Sequence, residues 1–270
     1  MTSSPVVRIV QLSDTHLSQN APEARANWDA IVEHLAADPP DLVINTGDIS
    51  LNGAHHLADL EYAFRAHQAL PAPWRVIPGN HDVGDIGEIT EPAGAGLRAR
   101  FVALFGDAFW SVPCGEWDVI GIDIQALAAE DHAEELWDWL DGVLATKRPV
   151  MFCMHRPLMP YAAGETDEPR RYVTGELRAR LRSLIAESSV RVVATGHVHQ
   201  TRSVTIDERM HVWAPSTWAL LPDSIQPVIG TKVVGFVEHR LGSDAHVTTV
   251  VPDNVRQHVI GISFPSPYSH

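Results

Sequence analysis

Seven side chains able to bind a metal stand just past short apolar runs in this chain: Asp14, His16, Asp48, Asn80, His155, His197 and His199. They come in compact groups, Asp14-Thr15-His16, Gly47-Asp48, Gly79-Asn80-His81-Asp82, His155 and Gly196-His197-Val198-His199. On extended chain, residues two apart point to the same side. Asp14 and His16 can therefore address one point while Thr15 turns away, and His197 and His199 can do likewise around Val198. Glycine directly ahead of Asp48, Asn80 and His197 allows a sharp exit from a strand and close backbone approach. Carboxylate, carboxamide and imidazole donors without thiolate suit borderline divalent or trivalent ions, and Mn, Fe, Zn and Co are all acceptable. Seven protein ligands exceed what one tetrahedral site needs, whereas two metals sharing a carboxylate would use all of them. Two ions about 3.5–4 Å apart lower the pKa of bridging water and stabilise attacking and leaving oxygens together. His81 follows Asn80 immediately and so belongs beside the metals, a candidate catalytic residue that is not itself needed as a ligand. Asp82, next along the chain, could orient its ring.

This five-part pattern, in order from Asp14 to His199, resembles that of the calcineurin-like metallophosphoesterases. Within that family it resembles the bacterial class III cyclic-nucleotide phosphodiesterases first and the related glycerophosphodiesterases second. The resemblance implies a four-layer α/β/β/α sandwich with one metal on Asp14, His16 and His199 and the other on Asn80, His155 and His197. Asp48 would bridge them. It gives Asn80 and His81 a place against the substrate, and His81 the task of holding a phosphate oxygen or protonating the leaving alkoxide. The implied reaction is in-line attack of a metal-bridging hydroxide on phosphorus, without a phosphoenzyme. Two divalent ions offset by two aspartates and a hydroxide leave a single positive charge, enough to draw in a phosphate ester. Relatives of this kind are often dimers or larger, which implies a homo-oligomer. The chain departs from the His-His-Pro-Pro pattern of many relatives, reading His155-Arg156-Pro157-Leu158. Arg156 is a candidate phosphate contact, since its planar guanidinium matches phosphate geometry, with a surface ion pair as the alternative.

Elements that could position these groups follow from periodicity. Apolar runs at Arg8–Ser13, Asp41–Thr46 and Trp74–Pro78 alternate with helical patterns at Glu23–Ala36 and near His55–Leu70. A second series places a helix near Leu97–Phe105, strands near Phe109–Val112 and Trp117–Asp123, and a helix over His132–Ala145. Strand Val150–Met154, helix Gly175–Glu187 and strand Val190–Thr195 complete it. The remainder reads as strands at Thr201–Ile206, Met210–Ala214, Lys232–Leu241 and His246–Val251. This is an α/β chain whose two series predict two mixed sheets packed face to face and flanked by helices. Three long irregular stretches, Val83–Gly96, Pro157–Thr174 and Pro215–Gly230, follow strand ends, where such sheets place their binding crevices, and are expected to set specificity.

At about 150 residues per domain, a length of 270 residues fits one large domain or two small ones. No repeat or linker marks a boundary, so one domain over residues 1–270 is expected, with a loosely held tail from about residue 263. A formal net charge of -14 disfavours a nucleic-acid polymer or an anionic membrane as partner. No apolar run reaches the roughly 20 residues that cross a bilayer, and the first residues lack a signal-peptide pattern. Two cysteines, Cys114 and Cys153, are too few for a disulfide framework and fit a reduced, cytoplasmic setting. The ten histidines outside the motif are assigned mostly to solvated helix faces, loops and the tail. Trp213 and Trp218 are read as core, and the acidic run Glu165–Glu168 as a solvated loop. Residues Gly94 to Ala99 match the dinucleotide fingerprint only nominally, because no strand precedes them. The expected function is hydrolysis of a small phosphodiester, foremost a 3′,5′-cyclic nucleotide such as cAMP. A glycerophosphodiesterase or a broad phosphomonoesterase is the alternative, and a metal-binding scaffold is the non-enzymatic one.

Overall fold

In the computed structural model, which describes residues 6–85, 94–128, 133–160 and 170–266, the first strand is apolar on both sides. This is β1 (Val7–Leu12), whose Val7 and Ile9 enter one core and whose Val10 and Leu12 enter another. A strand with two apolar faces has to be covered twice, and the rest of the chain supplies both covers. It continues through α1 (Pro22–Ala37), β2 (Leu42–Asn45), α2 (Leu57–His67), β3 (Trp74–Val76), α3 (Asn80–Val83) and α4 (Ala95–Phe105). Next come β4 (Trp110–Cys114), β5 (Trp117–Gly121), α5 (Ile124–Ala128), α6 (Ala133–Leu144), β6 (Val150–Cys153) and α7 (Gly175–Glu187). Last are β7 (Val190–Thr195), β8 (Arg202–Ile206), β9 (Arg209–Trp213), β10 (Phe236–Leu241) and β11 (Ala245–Val250).

These strands form one five-stranded sheet, ordered β11-β10-β1-β2-β3, and one six-stranded sheet, ordered β4-β5-β6-β7-β9-β8. Both are mixed. β1, β2 and β3 run parallel, as do β5, β6, β7 and β9, while β10 and β11 or β4 and β8 close the sheets with antiparallel pairs. Ile9, Leu42, Ile44 and Val237 from the first sheet meet Val119, Met151, Val192 and Val212 from the second in the layer between the sheets. Val10, Val43 and Phe236 pack outward against Trp28 and Ile31 of α1, Leu60 and Ala63 of α2 and Phe101 of α4. Ile120, Phe152 and Val193 pack the other way, against Leu127 of α5, Trp137 and Leu140 of α6 and Leu181 of α7. Two mixed sheets flanked by helices are therefore present as expected, and each parallel strand delivers its carboxyl end to one shared edge.

Some expectations need correction. The strand expected over Lys232–Leu241 starts only at Phe236, because the Val234 backbone is taken at both N–H and carbonyl by the Gln257 side chain and the Gly235 N–H by the Ser216 carbonyl. The short helices α3 and α5 carry too little sequence to show a helical period. Residues 263–266 of the expected loose tail are held: Gly261 donates to the Phe264 carbonyl at 3.0 Å, and the Phe264 ring stacks on Trp218 at 5.3 Å. Residues 267–270 lie outside the described residues. Among the described residues no helix is long and apolar enough to cross a membrane.

Candidate metal centre

The seven expected ligands leave five strand ends, and six of them, all but Asn80, fall into close groups of ligand atoms. Asp14 and His16 follow β1, Asp48 follows β2, and Asn80 opens the short α3 just beyond β3. His155 follows β6, and His197 and His199 follow β7. Four groups thus come from the first sheet and three from the second. Asp14, His16 and His199 offer ligand atoms all within 4.8 Å of one another, and so do Asp48, His155 and His197. Asp48 also meets that limit with His16 and His81. Its Oδ2 lies 3.3 Å from His155 Nε2 and 3.9 Å from His16 Nε2, between the two groups.

The backbone reaches this arrangement by a route other than the extended chain expected from sequence. Asp14 (φ 50), His16 (φ 44), Asp48 (φ 51), His197 (φ 69) and His199 (φ 49) all lie in the left-handed region. Such conformations cost of order 1–3 kcal/mol per non-glycine residue and persist where surrounding structure enforces them, often at functional sites. The expected glycines are needed for close approach. A Cβ at Gly196 would collide with Ser13 Oγ and lie 2.7 Å from Asp14 Oδ2. At Gly47 (φ +102) it would lie 2.5 Å from His155 Nδ1.

Outer hydrogen bonds choose which atom of Asp14, Asp48, His155, His197 and His199 faces inward. His155 Nδ1 donates to the Thr46 carbonyl at 2.7 Å and His199 Nδ1 to the Ala219 carbonyl at 2.9 Å, so both present Nε2. His197 is reversed: Nε2 donates to the Arg170 carbonyl at 2.6 Å and Nδ1 turns in, 3.1 Å from His155 Nε2. Asp14 Oδ2 accepts from Ser13 Oγ at 2.6 Å and from the His197 backbone at 2.9 Å, leaving Oδ1 for the centre. Asp48 Oδ1 accepts from the His81 backbone at 2.9 Å, leaving Oδ2. Such partners fix ring orientation and ligand basicity in metal sites.

The donor set fits a pair of cations. Asp14 Oδ1 and Asn80 Oδ1 are buried and have no hydrogen-bond partner, a cost that a bound cation would remove. His16 Nε2 and His199 Nε2 approach to 3.3 Å, with His199 already committed as donor at Nδ1. Burial pushes the Asp14 carboxyl up. Burial also holds the His16 and His197 imidazoles well below their ordinary value, helped by His81 beside the first and Arg156 beside the second. Neutral imidazole is the form that ligates. Burial opposes charge on Asp48 and His155 too, yet their mutual attraction prevails. Asp48 falls well below the usual carboxylate range, and His155 rises to about 9.

His81 sits in this centre, its ring edge-on to His16 at 4.7 Å and its Nδ1 donating to the Leu51 carbonyl at 2.8 Å. Asp82 does not orient it. Both Asp82 oxygens are taken by the chain, from the backbones of Gly79, Ile49 and Ser50 and from Ser50 Oγ, at 2.6 to 3.1 Å. Burial, then the nearby Asp48, raises this carboxyl to about 6. The backbone turns Asp82 away from His81 because α3 begins at Asn80, where Asp82 caps the Gly79 amide. Arg156 is 4% exposed and its Nη2 contacts both Asp85 oxygens, at 2.7 and 2.8 Å, so its ion pair is a buried one and not the surface pair weighed as the alternative. It borders a cavity of about 450 Å³ lined also by Ile124, Trp137, Tyr172 and Leu177.

The stretch 215–230 supports the ligands more than it frames an opening. Ser216 Oγ donates to the Asp14 carbonyl at 2.7 Å, Ala219 holds His199, and the buried Trp218 ring lies 4.9 Å from His16. Trp213 and Trp218 are core, as expected. Residues 86–93, 161–169 and 267–270, with the acidic run Glu165–Glu168, lie outside the described residues. Three histidines assigned to solvent, His67, His211 and His239, are buried. Sequence reasoning missed Ser13, Ser216 and Gln11. Only Gln11 carried a visible signal, a carboxamide set among the apolar residues Ile9, Val10 and Leu12 of the first strand.

Residues 7–201 match the family model described as calcineurin-like phosphoesterase. The chain is 26% identical over 268 residues to the 3′,5′-cyclic adenosine monophosphate phosphodiesterase CpdA of Escherichia coli (strain K12), covering 91% of this chain and 89% of that protein. It is 28% identical over 208 residues to the "Probable glycerophosphodiester phosphodiesterase GpdQ" of Arcobacter nitrofigilis, covering 71% of each. In fold it is similar to the purple acid phosphatase PPD1 of yellow lupin, with TM-score 0.67, 14% identity, and coverage of 94% of this chain and 53% of that one. A dimetal phosphatase from Danio rerio gives TM-score 0.63 at 14% identity, covering 91% of this chain and 96% of that one.

Proposed function

The chain belongs to the calcineurin-like phosphoesterase family, and we propose that it hydrolyses a small phosphodiester, foremost a 3′,5′-cyclic nucleotide such as cAMP. It is a metal-dependent phosphoester hydrolase. The observation that carries the reading is the convergence of two ligand groups around Asp48, with His81 beside them. In this proposal Asp14, His16 and His199 hold one ion, Asn80, His155 and His197 the other, and Asp48 serves both. Bound there, the two ions supply Lewis acidity toward phosphoryl oxygens and water activated at neutral pH.

The chain's own residues do the rest. His155, His197 and His199 are locked by carbonyls into the tautomers that present a lone pair inward. His81 gives its Nδ1 proton to the Leu51 carbonyl, so proton exchange with substrate falls to Nε2. As general acid, Nε2 would deliver a proton to the leaving alkoxide and leave the Nδ1–H tautomer held by Leu51. Arg156, held by Asp85, places positive charge beside His197 and draws the phosphate to this end of the site. Similarity to CpdA over 91% of the chain supports the cyclic-nucleotide assignment. The reading extends to a reduced, cytoplasmic setting, supported by the free thiols Cys114 and Cys153, and to one domain that assembles into a homo-oligomer.

The test is a substrate panel after reconstitution with Mn, Fe, Zn or Co. It compares cAMP, 2′,3′-cyclic nucleotides, glycerophosphodiesters, bis-p-nitrophenyl phosphate and p-nitrophenyl phosphate. The highest kcat/KM is expected on cAMP. A glycerophosphodiester as best substrate moves the assignment to the second reading, and preference for the monoester over every diester overturns it.

A further inference from the structure

Below the ligands, a buried chain of polar side chains crosses the apolar layer between the sheets. Gln11 follows Val7 and Ile9 on the β1 face that looks at the second sheet, and it is fully buried. Its carboxamide Nε2 donates to Thr46 Oγ1 at 3.1 Å and to the Thr195 carbonyl at 3.0 Å. A carbonyl can only accept, so the amide orientation is fixed and Oε1 must face His239, whose Nε2 lies 2.9 Å away. His239 is therefore the Nε2–H tautomer, and its Nδ1 has no partner. The ring is fully buried, and its low affinity for a second proton agrees with a neutral donor.

The two anchors of Gln11 are informative. Thr46 ends the segment that leads from β2 through Gly47 to Asp48, and its carbonyl holds His155 Nδ1. Thr195 ends β7 and is followed by Gly196 and His197, while its carbonyl also accepts from Ala214 at 2.8 Å. One amide thus ties the ligand-bearing end of the first sheet to that of the second. This matters because each ligand group has members on both sheets, Asp14 and His16 with His199, and Asp48 with His155 and His197. Apolar contact between sheets is non-directional and tolerates small slides, whereas a hydrogen bond is directional and short-ranged.

We propose that Gln11, oriented by His239, is a positioning residue that sets the register of the two sheets at the metal centre and so the spacing of both ligand groups. The proposal rests on the reading of that centre as a metal site. Gln11→Leu removes the tie and leaves His239 Nε2 buried without an acceptor. Gln11→Leu combined with His239→Leu removes the tie and the orphan together, so packing recovers while register does not. Metal-stripped wild type and variants are titrated with Mn²⁺ by calorimetry, their melting temperatures are measured, and the loaded forms are compared by EPR for coupling between the ions.

The single variant is expected to melt below wild type and the double variant to recover most of that loss. Both are expected to bind Mn²⁺ about 10–100-fold more weakly, with altered or absent coupling. If the double variant regains wild-type Mn²⁺ affinity along with its melting temperature, Gln11 is merely structural and the proposal falls. Should wild type bind a single ion, the dinuclear reading fails separately. The positioning role is still decided by that ion's Kd, since either ligand group spans both sheets.

Discussion

Asp48 Oδ2 and His155 Nε2 stand 3.3 Å apart with both side chains buried, and in the metal-free chain they form an ion pair. The proton on His155, held up to about 9, occupies the nitrogen lone pair that a metal would take. Loading at pH 8 must therefore expel a proton. Calorimetric Mn²⁺ titrations in two buffers of different ionisation enthalpy are expected to show that release. Asp48→Asn removes the attraction that keeps the proton, so release should fall by the share that His155 supplies, and affinity by at least ~10–100-fold. Unchanged proton release in the variant would contradict the pairing.

His81→Ala is expected to slow diesters with alkyl leaving groups by about 10²–10⁴-fold, the usual size of general acid catalysis. Esters with a p-nitrophenolate leaving group, which hardly needs a proton, should lose much less. Equal losses on both would leave His81 a purely electrostatic role.

Asp82→Asn should act on stability and leave the His81 ring in place, because His81 is held by Leu51 and not by Asp82. An amide nitrogen would face backbone N–H groups that now meet a carboxylate oxygen. The expected cost is about 1–3 kcal/mol, that of leaving buried donors unsatisfied, read by urea unfolding. A kcat loss matching that of His81→Ala, without loss of stability, would restore Asp82 to the catalytic pair.

The metal-stripped protein should lose stability in mild acid. Burial holds His67 and His211 down to about 4 and His239 down to about 3, against 6.5 for the free imidazole. A histidine depressed by folding binds fewer protons folded than unfolded. Its contribution is fully present above pH 6.5 and is lost as pH falls toward the folded value. Each contributes a slope of up to about 1.4 kcal/mol per pH unit there. His155, raised to about 9, contributes in the opposite window, with stability lost between pH 6.5 and 9. Asp82, raised to about 6, works the other way and gains stability as pH falls, but it is one group against three. Urea midpoints from pH 7 to 5 should therefore fall, and more steeply in Asp82→Asn, whereas a flat profile in that variant would show these rings to be hydrated.

The candidate ligands stood out in the chain because metal chemistry restricts donor types and because glycine marks each tight exit. Gly47, Gly79 and Gly196 precede Asp48, Asn80 and His197, and a Cβ at any of the three would strike another part of the centre. The apolar runs between helical patterns likewise disclosed two sheets and their helices, since burial on both faces leaves a continuous apolar run that needs no partner to be seen. Tertiary structure alone decided how the ligands are aimed. Left-handed backbone at Asp14, His16, Asp48, His197 and His199 replaced the extended geometry expected from spacing, because it takes long-range contacts to hold residues in that region. The inward-facing atoms of His155, His197 and His199 are set by carbonyls of Thr46, Arg170 and Ala219, and a carbonyl belongs to every residue and so leaves no mark in sequence. Asp82 and Arg156 make the same point from side chains. What each binds depends on which neighbours the fold brings within about 3 Å, the range over which a hydrogen bond acts.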